Sequence, residues 1–140
     1  MSLYVVDASV GIKWFLPEAG AADALRLQDA HHELHVPTLF DAEVTNVLWK
    51  RVRRGDLSRT DADDLVARLP PLPVTRHPQL PLLPTAFEFA CRMDRSVYDG
   101  LYLALAKHLT GQMVTADERL VNSLAGTPLA TFVLLLRDLP

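Results

Sequence analysis

The chain has 140 residues, 49% of them apolar and 22% charged, with a formal net charge of −3; this balance excludes a disordered tail and a protein that holds nucleic acid by overall basicity. No apolar run is long enough to cross a bilayer, and Leu3 to Val6 stops at Asp7 before a signal-peptide core could form, so a cytoplasmic protein is expected. Cys91 is the only cysteine, which rules out an intrachain disulfide and fits a reducing compartment; within Phe89-Ala90-Cys91-Arg92-Met93 it reads as a small core residue.

Leu3-Tyr4-Val5-Val6 is a short apolar run rich in β-formers and ends abruptly at an acid, the pattern of a buried parallel strand. Two helices are predicted next, over residues 8–16 and 19–31, separated near Pro17. A brief strand over Leu34 to Val36 leads to Pro37. Thr38 is placed to cap the following helix, with Asp41 at capping-box distance, and that helix stops at Gly55. Ser58 opens another helix, which ends at Pro70.

Six of the ten prolines fall between Pro70 and Pro84, so an irregular surface connection is expected there, with an edge strand near Leu72 to Thr75. A helix over Thr85 to Met93 follows. Ser96 to Asp99 then repeats the capping pattern before Leu101-Tyr102-Leu103-Ala104-Leu105-Ala106, a stretch apolar on every side and therefore central. Gln112 to Thr115 reads as a strand ending at an acid, a helix carries Leu120, Val121 and Leu124, and Ala130 to Leu134 reads as the last strand. Strands alternating with helices define a single α/β domain over residues 1–140, a three-layer α/β/α sandwich around a mostly parallel sheet. There is no internal repeat and no glycine-rich phosphate loop.

Ligands of open parallel sheets sit beyond the carboxyl ends of the strands, where Asp7 and Asp117 both lie. Asp99 starts the buried helix, where backbone N–H groups favour negative charge. Glu43 lies within the first half of its helix, with Asn46 three residues on along the same face. Singly, each acid would serve as a helix cap or turn residue. Together, four acids from four elements are candidates to converge. Two carboxylates about 4 Å apart repel by roughly 4 kcal/mol at an effective dielectric near 20. A divalent cation relieves that repulsion, and all-oxygen ligands suit Mg²⁺, or Mn²⁺, rather than zinc. Such an ion polarises a phosphodiester and activates water. Ser9 and Thr115 are placed to hydrogen-bond the carboxylates.

These residues resemble the PIN-domain proteins, and within them the VapC-type toxins of bacterial toxin–antitoxin pairs. Val6-Asp7-Ala8-Ser9-Val10, with Lys13-Trp14-Phe15 and Glu18, is similar to their opening motif, and Glu43-Val44-Thr45-Asn46-Val47-Leu48 to their E-x-x-N-x-L helix. Tyr98-Asp99-Gly100-Leu101-Tyr102-Leu103-Ala104-Leu105-Ala106 resembles their Y-D-A-x-Y-x-A-L-A helix, and Thr115-Ala116-Asp117-Glu118-Arg119-Leu120 their T-x-D-x-x-L turn. Gly100 departs from the pattern, where alanine is usual; helix propensity puts the cost at up to about 1 kcal/mol. The resemblance implies a Mg²⁺-dependent endoribonuclease acting on single-stranded RNA. It further implies a small VapB-like antitoxin as inhibitor, a homodimer, and Asp7, Glu43, Asp99 and Asp117 as catalytic metal ligands. In that scheme Asp7, Asp99 and Asp117 hold the ion while Glu43 orients the attacking water.

Other features have plainer readings. Lys50, Arg51, Arg53 and Arg54 suit the carboxyl end of their helix, with an RNA-backbone patch as the alternative. His31, His32 and His35 straddle a helix-to-strand junction, which breaks the shared face that a zinc pair needs. Trp14 and Phe15 read as core, or in part as a groove for the antitoxin's apolar segment. A haloacid-dehalogenase-type phosphatase needs a second aspartate where Ser9 stands, and a receiver domain needs paired early acids and a late lysine. A non-catalytic PIN-like interaction module is the alternative from a different class.

Overall fold

A computed structural model describes residues 2–140. Five strands form one sheet in the order β3-β2-β1-β4-β5: β1 (Ser2–Val6), β2 (His32–Pro37), β3 (Thr75–His77), β4 (Gln112–Thr115) and β5 (Val133–Leu135). Every pairing is parallel. Among the described residues seven α-helices flank the sheet as an α/β sandwich: α1 (Ala8–Gly11), α2 (Ala21–Arg26), α3 (Leu39–Arg54), α4 (Arg59–Val66), α5 (Leu83–Met93), α6 (Val97–Leu109) and α7 (Glu118–Leu124). Strand order reverses direction about β1, whose neighbours are β2 on one side and β4 on the other. The switch point of the sheet therefore falls at the carboxyl ends of β1 and β4, the usual ligand position in such sheets.

Helix α6 forms the centre of the core. Its residues Gly100 through Ala106 are all buried, and it packs on β1, β2 and β4 and against α5. The all-round apolar sequence thus occupies a place with no solvent face. Its start is fixed locally, because the Ser96 hydroxyl accepts the Asp99 backbone N–H. Gly100 has a tertiary reason: a Cβ there would lie 2.3 Å from the Ala86 carbonyl oxygen of α5. The glycine lets two backbones approach closely, so its role is packing, and the propensity cost expected from sequence is a secondary matter.

Several expectations are corrected. The helix predicted over 8–16 is α1 followed by a 3-10 turn at Ile12–Trp14, and the one over 19–31 contracts to α2. Helix α4 stops at Val66, short of Pro70, and α5 begins at Leu83 with Pro84 in its first turn, where the missing N–H costs nothing. The edge strand lies at Thr75–His77 instead of 72–75, and the last strand at Val133–Leu135 instead of 130–134. Thr38 does not cap α3 with its side chain; the Leu39 N–H donates to Gln79 Oε1 at 2.8 Å, and the Thr38 hydroxyl donates to the same oxygen. Cys91 is exposed and not a core residue, being on the outer face of α5. The stop at Gly55 holds: its φ of 82° is the left-handed conformation that lets Asp56 N–H return to the Arg51 carbonyl.

Candidate active site

Asp7 follows the last residue of β1, and its backbone N–H donates to the Val114 carbonyl of β4 at 3.1 Å. The side chain is 7% exposed. Its Oδ2 accepts two hydroxyl hydrogen bonds, from Ser9 at 2.7 Å and from Thr115 at 2.8 Å. Ser9 Oγ in turn accepts the Ala116 N–H, and Thr115 Oγ1 accepts the Asp117 N–H. Two hydroxyls thus lock the ends of β1 and β4 together around one carboxylate, as proposed for Ser9 and Thr115 from their spacing. Burial raises the Asp7 pKa to about 6 against the two hydroxyl hydrogen bonds, and the charges of Asp99 and Glu43 add to the rise.

Glu43 projects from the second turn of α3 and is half-buried; its Oε1 accepts the Tyr102 hydroxyl at 2.6 Å. Its pKa is raised by burial, opposed by that hydrogen bond and reinforced by Asp99. Asp99 in the first turn of α6 is also raised, again by burial first, with Arg95 opposing and Asp117 adding. Asp117 caps α7, its Oδ1 accepting the Leu120 N–H at 3.1 Å. Although partial burial works the other way, the Leu120 N–H and the Arg95 guanidinium together lower its pKa. Asp99 and Glu43 each raise Asp7, Asp99 raises Glu43 and Asp117 raises Asp99, so each acid has at least one other of the set within electrostatic reach. Asn46 is placed differently: it is exposed on α3 and makes no side-chain hydrogen bond among the described residues.

Two residues of the site were not anticipated. Tyr102 lies one turn beyond Asp99 on α6 and is buried; burial, then the charges of Glu43 and Asp7, push its hydroxyl well above the usual range, so it remains a donor. Its three-residue spacing from Asp99 was a usable signal. Arg95 donates through Nε to Asp99 Oδ2 at 3.2 Å and through Nη2 to Asp117 Oδ2. Its i,i+4 spacing to Asp99 was a local signal, but the contact with Asp117, 22 residues away, was not readable from spacing.

The donor set of four carboxylates with hydroxyls behind them is the chemistry of a hard divalent cation. Among the described residues no three His, Cys, Asp or Glu side chains are gathered tightly enough to grip one ion as they stand. Like charges on one buried and several part-buried carboxylates, held by hydroxyl donors and one guanidinium, nevertheless fit the chemistry of such an ion.

The other features resolve plainly. The three clustered histidines diverge: His31 bonds Asp29, His32 meets the Tyr4 ring edge-on, and His35 Nδ1 lies 2.8 Å from His77 Nε2. Arg51 is paired with Glu18 and Arg54 with Asp56, while Arg53 stacks over Trp49. Trp14 is partly buried, tilts against Phe40 and donates its indole N–H to the Ala24 carbonyl. Ser9, where a phosphatase would need its second acid, serves as a donor to Asp7.

An all-parallel α/β sandwich that sets Asp7 just past β1 and Asp117 just past β4 defines a doubly wound domain with acidic residues beside its switch point. The PIN-domain profile matches residues 4–123. This chain belongs to the PIN-domain family. It is 35% identical over 120 residues to Ribonuclease VapC3 of Pyrobaculum aerophilum, spanning 84% of this chain and 92% of that one. Among solved structures, Mycobacterium tuberculosis VapC20, described as a Sarcin-Ricin loop cleaving toxin, superposes with a TM-score of 0.66 at 20% identity, covering 89% of this chain and 95% of that one. A toxin–antitoxin complex from Klebsiella pneumoniae gives 0.60 at 14% identity over 99% and 100%. Those two likenesses speak for the fold.

Proposed function

We propose that the chain is a VapC-type endoribonuclease that hydrolyses phosphodiester bonds in single-stranded RNA with Mg²⁺, or Mn²⁺, as cofactor. The observation that carries this reading is Asp7: a carboxylate buried at the switch point, with a pKa raised to about 6 and two other acids contributing to the rise. Such a site is unfavourable for the protein alone at neutral pH, and a divalent ion offsets the excess negative charge. Kinship with a named ribonuclease at 35% identity supplies the substrate class.

Asp7, Asp99 and Asp117 would hold the ion with Glu43 orienting the attacking water, and the ion when bound would supply Lewis-acid polarisation of the phosphate and a lowered pKa for water. The side chains do the rest. Ser9 and Thr115 fix Asp7 by engaging its Oδ2, and neither hydroxyl occupies Oδ1. Tyr102 holds Glu43 in one orientation, and the raised pKa of Glu43 suits it to accept the proton of the attacking water.

Cleavage of a fluorescently labelled single-stranded RNA with Mg²⁺, with a chelator, and by Asp7→Asn tests the reading. Loss of cleavage in the last two is expected, and undiminished cleavage in both would refute it. A non-catalytic interaction module is separated by calorimetry, since it need not take up Mg²⁺. Neutralisation by a small VapB-like antitoxin and assembly as a homodimer belong to the same reading. Co-purification with the small partner and sedimentation of the isolated chain check them.

A further inference from the structure

Among the described residues, Arg95 is the sole cation in ion-pair contact with any of the four acids. Its backbone is fixed from both sides. Asp94 ends α5 in the left-handed conformation at φ 53°, Arg95 N–H returns to the Ala90 carbonyl at 3.1 Å, and Ser96 caps α6 immediately afterwards. The side chain then lies along the first turn of α6 to Asp99 and reaches across to Asp117.

The oxygens it occupies matter. Asp117 Oδ1 accepts the Leu120 N–H, and Asp117 Oδ2 accepts Arg95 Nη2, so both oxygens of that carboxylate are engaged. Asp99 Oδ2 accepts Arg95 Nε. A guanidinium held on these two carboxylates and a divalent ion brought to the same carboxylates repel one another, and the Arg95 N–H groups take up part of the acceptor capacity that the ion would use, so the two cations compete for Asp99 and Asp117. Arg95, with its side chain 23% exposed, has a route to solvent once released.

We propose that Arg95 is a tethered counter-ion that closes the acidic crevice to divalent cations, so that metal entry and opening of the Asp99–Arg95–Asp117 bridge are one event. This rests on the metal-site reading above. Arg95 stabilises the metal-free acids and competes with the ion for them, so its removal strengthens metal binding while weakening the empty protein. An arginine that helped to orient the ligands would do the reverse.

The test is calorimetric titration of Mn²⁺ into the metal-free full chain, as wild type, Arg95→Met and Arg95→Lys. Arg95→Met is expected to bind about tenfold more tightly, equivalent to about 1.4 kcal/mol. It should melt at a lower temperature without metal and recover when Mn²⁺ is added. Arg95→Lys keeps the charge without the fork and should fall between the two, which preserves the test if the methionine variant folds poorly. In the wild type, the Arg95 Nε–H NMR resonance should shift on saturation with Mg²⁺. Equal or weaker binding by both variants, or an unmoved resonance, overturns the proposal while leaving the metal site intact. No binding by any of the proteins overturns the metal-site reading and this proposal with it.

Discussion

The Tyr102 hydroxyl donates a 2.6 Å hydrogen bond to Glu43 Oε1, joining the central helix α6 to α3 across 59 positions of sequence. The tyrosine is buried and its hydroxyl remains protonated, so the bond persists over the pH range of the enzyme. It also opposes the burial that lifts the Glu43 pKa.

Tyr102→Phe therefore removes a donor without opening a cavity. Stability should fall by about 1 kcal/mol, the usual net value of such a bond. Glu43 loses the contact that lowers its pKa, so the acidic limb of the cleavage profile should move to higher pH. Urea unfolding and a pH–rate series check the two parts, and an unmoved limb would separate Glu43 from proton transfer.

Asp7 gives a pH prediction with a definite sign. Its folded pKa of about 6 lies above the ordinary aspartate value of 3.8 that applies in the unfolded chain, so folding takes up a proton between these values. The native state then loses stability as pH rises from about 4 to about 6, by a shift of about 2 units and hence of order 3 kcal/mol. Asp7→Asn escapes this loss. Metal-free Asp7→Asn should exceed the wild type at pH 7.5 by about 2 kcal/mol, allowing for poorer hydrogen bonding by the amide, with the advantage gone below about pH 4. Denaturant titrations at the two pH values measure it. Metal affinity of the wild type should rise through the same interval, since the ion needs the ionised carboxylate.

Gly100→Ala sets helix propensity against sterics. Propensity alone favours alanine by about 1 kcal/mol. The added Cβ would meet the Ala86 carbonyl oxygen at 2.3 Å, a backbone atom that no side-chain rotation can move. A net loss of about 2 kcal/mol is expected, in the range of overpacked cores. A rise in melting temperature would show that α5 shifts freely relative to α6.

Gln79→Ala should cost about 1 kcal/mol, because the amide oxygen caps α3 by accepting from Leu39 N–H and the Thr38 hydroxyl. Thr38→Ala removes only the weaker contact and should cost less. Thermal melting of the pair decides which residue is the cap.

Much of the site was legible because its determinants are local. A strand must end where an apolar run meets Asp7 or Thr115-Ala116-Asp117, and Ser96 announces its helix by a three-residue hydrogen bond. The end of α3 at Gly55 follows from backbone conformation alone. Element lengths were less legible: β3 pairs with β2 through Pro37 opposite His77, a register that the proline-rich segment before it does not encode.

By itself, the sequence determined which residues carry charge, where strands and helices begin, and the parallel alternation that sends Asp7 and Asp117 to one edge of the sheet. These follow from forces acting over a few residues, namely capping, periodicity and backbone preference. Only the tertiary structure decided that Gln79 caps α3, that Cys91 faces outward, that Gly100 admits the Ala86 carbonyl and that Arg95 bridges Asp99 to Asp117. Each depends on packing between elements distant along the chain, where side-chain direction and interhelical spacing, set by the whole core, choose the partner.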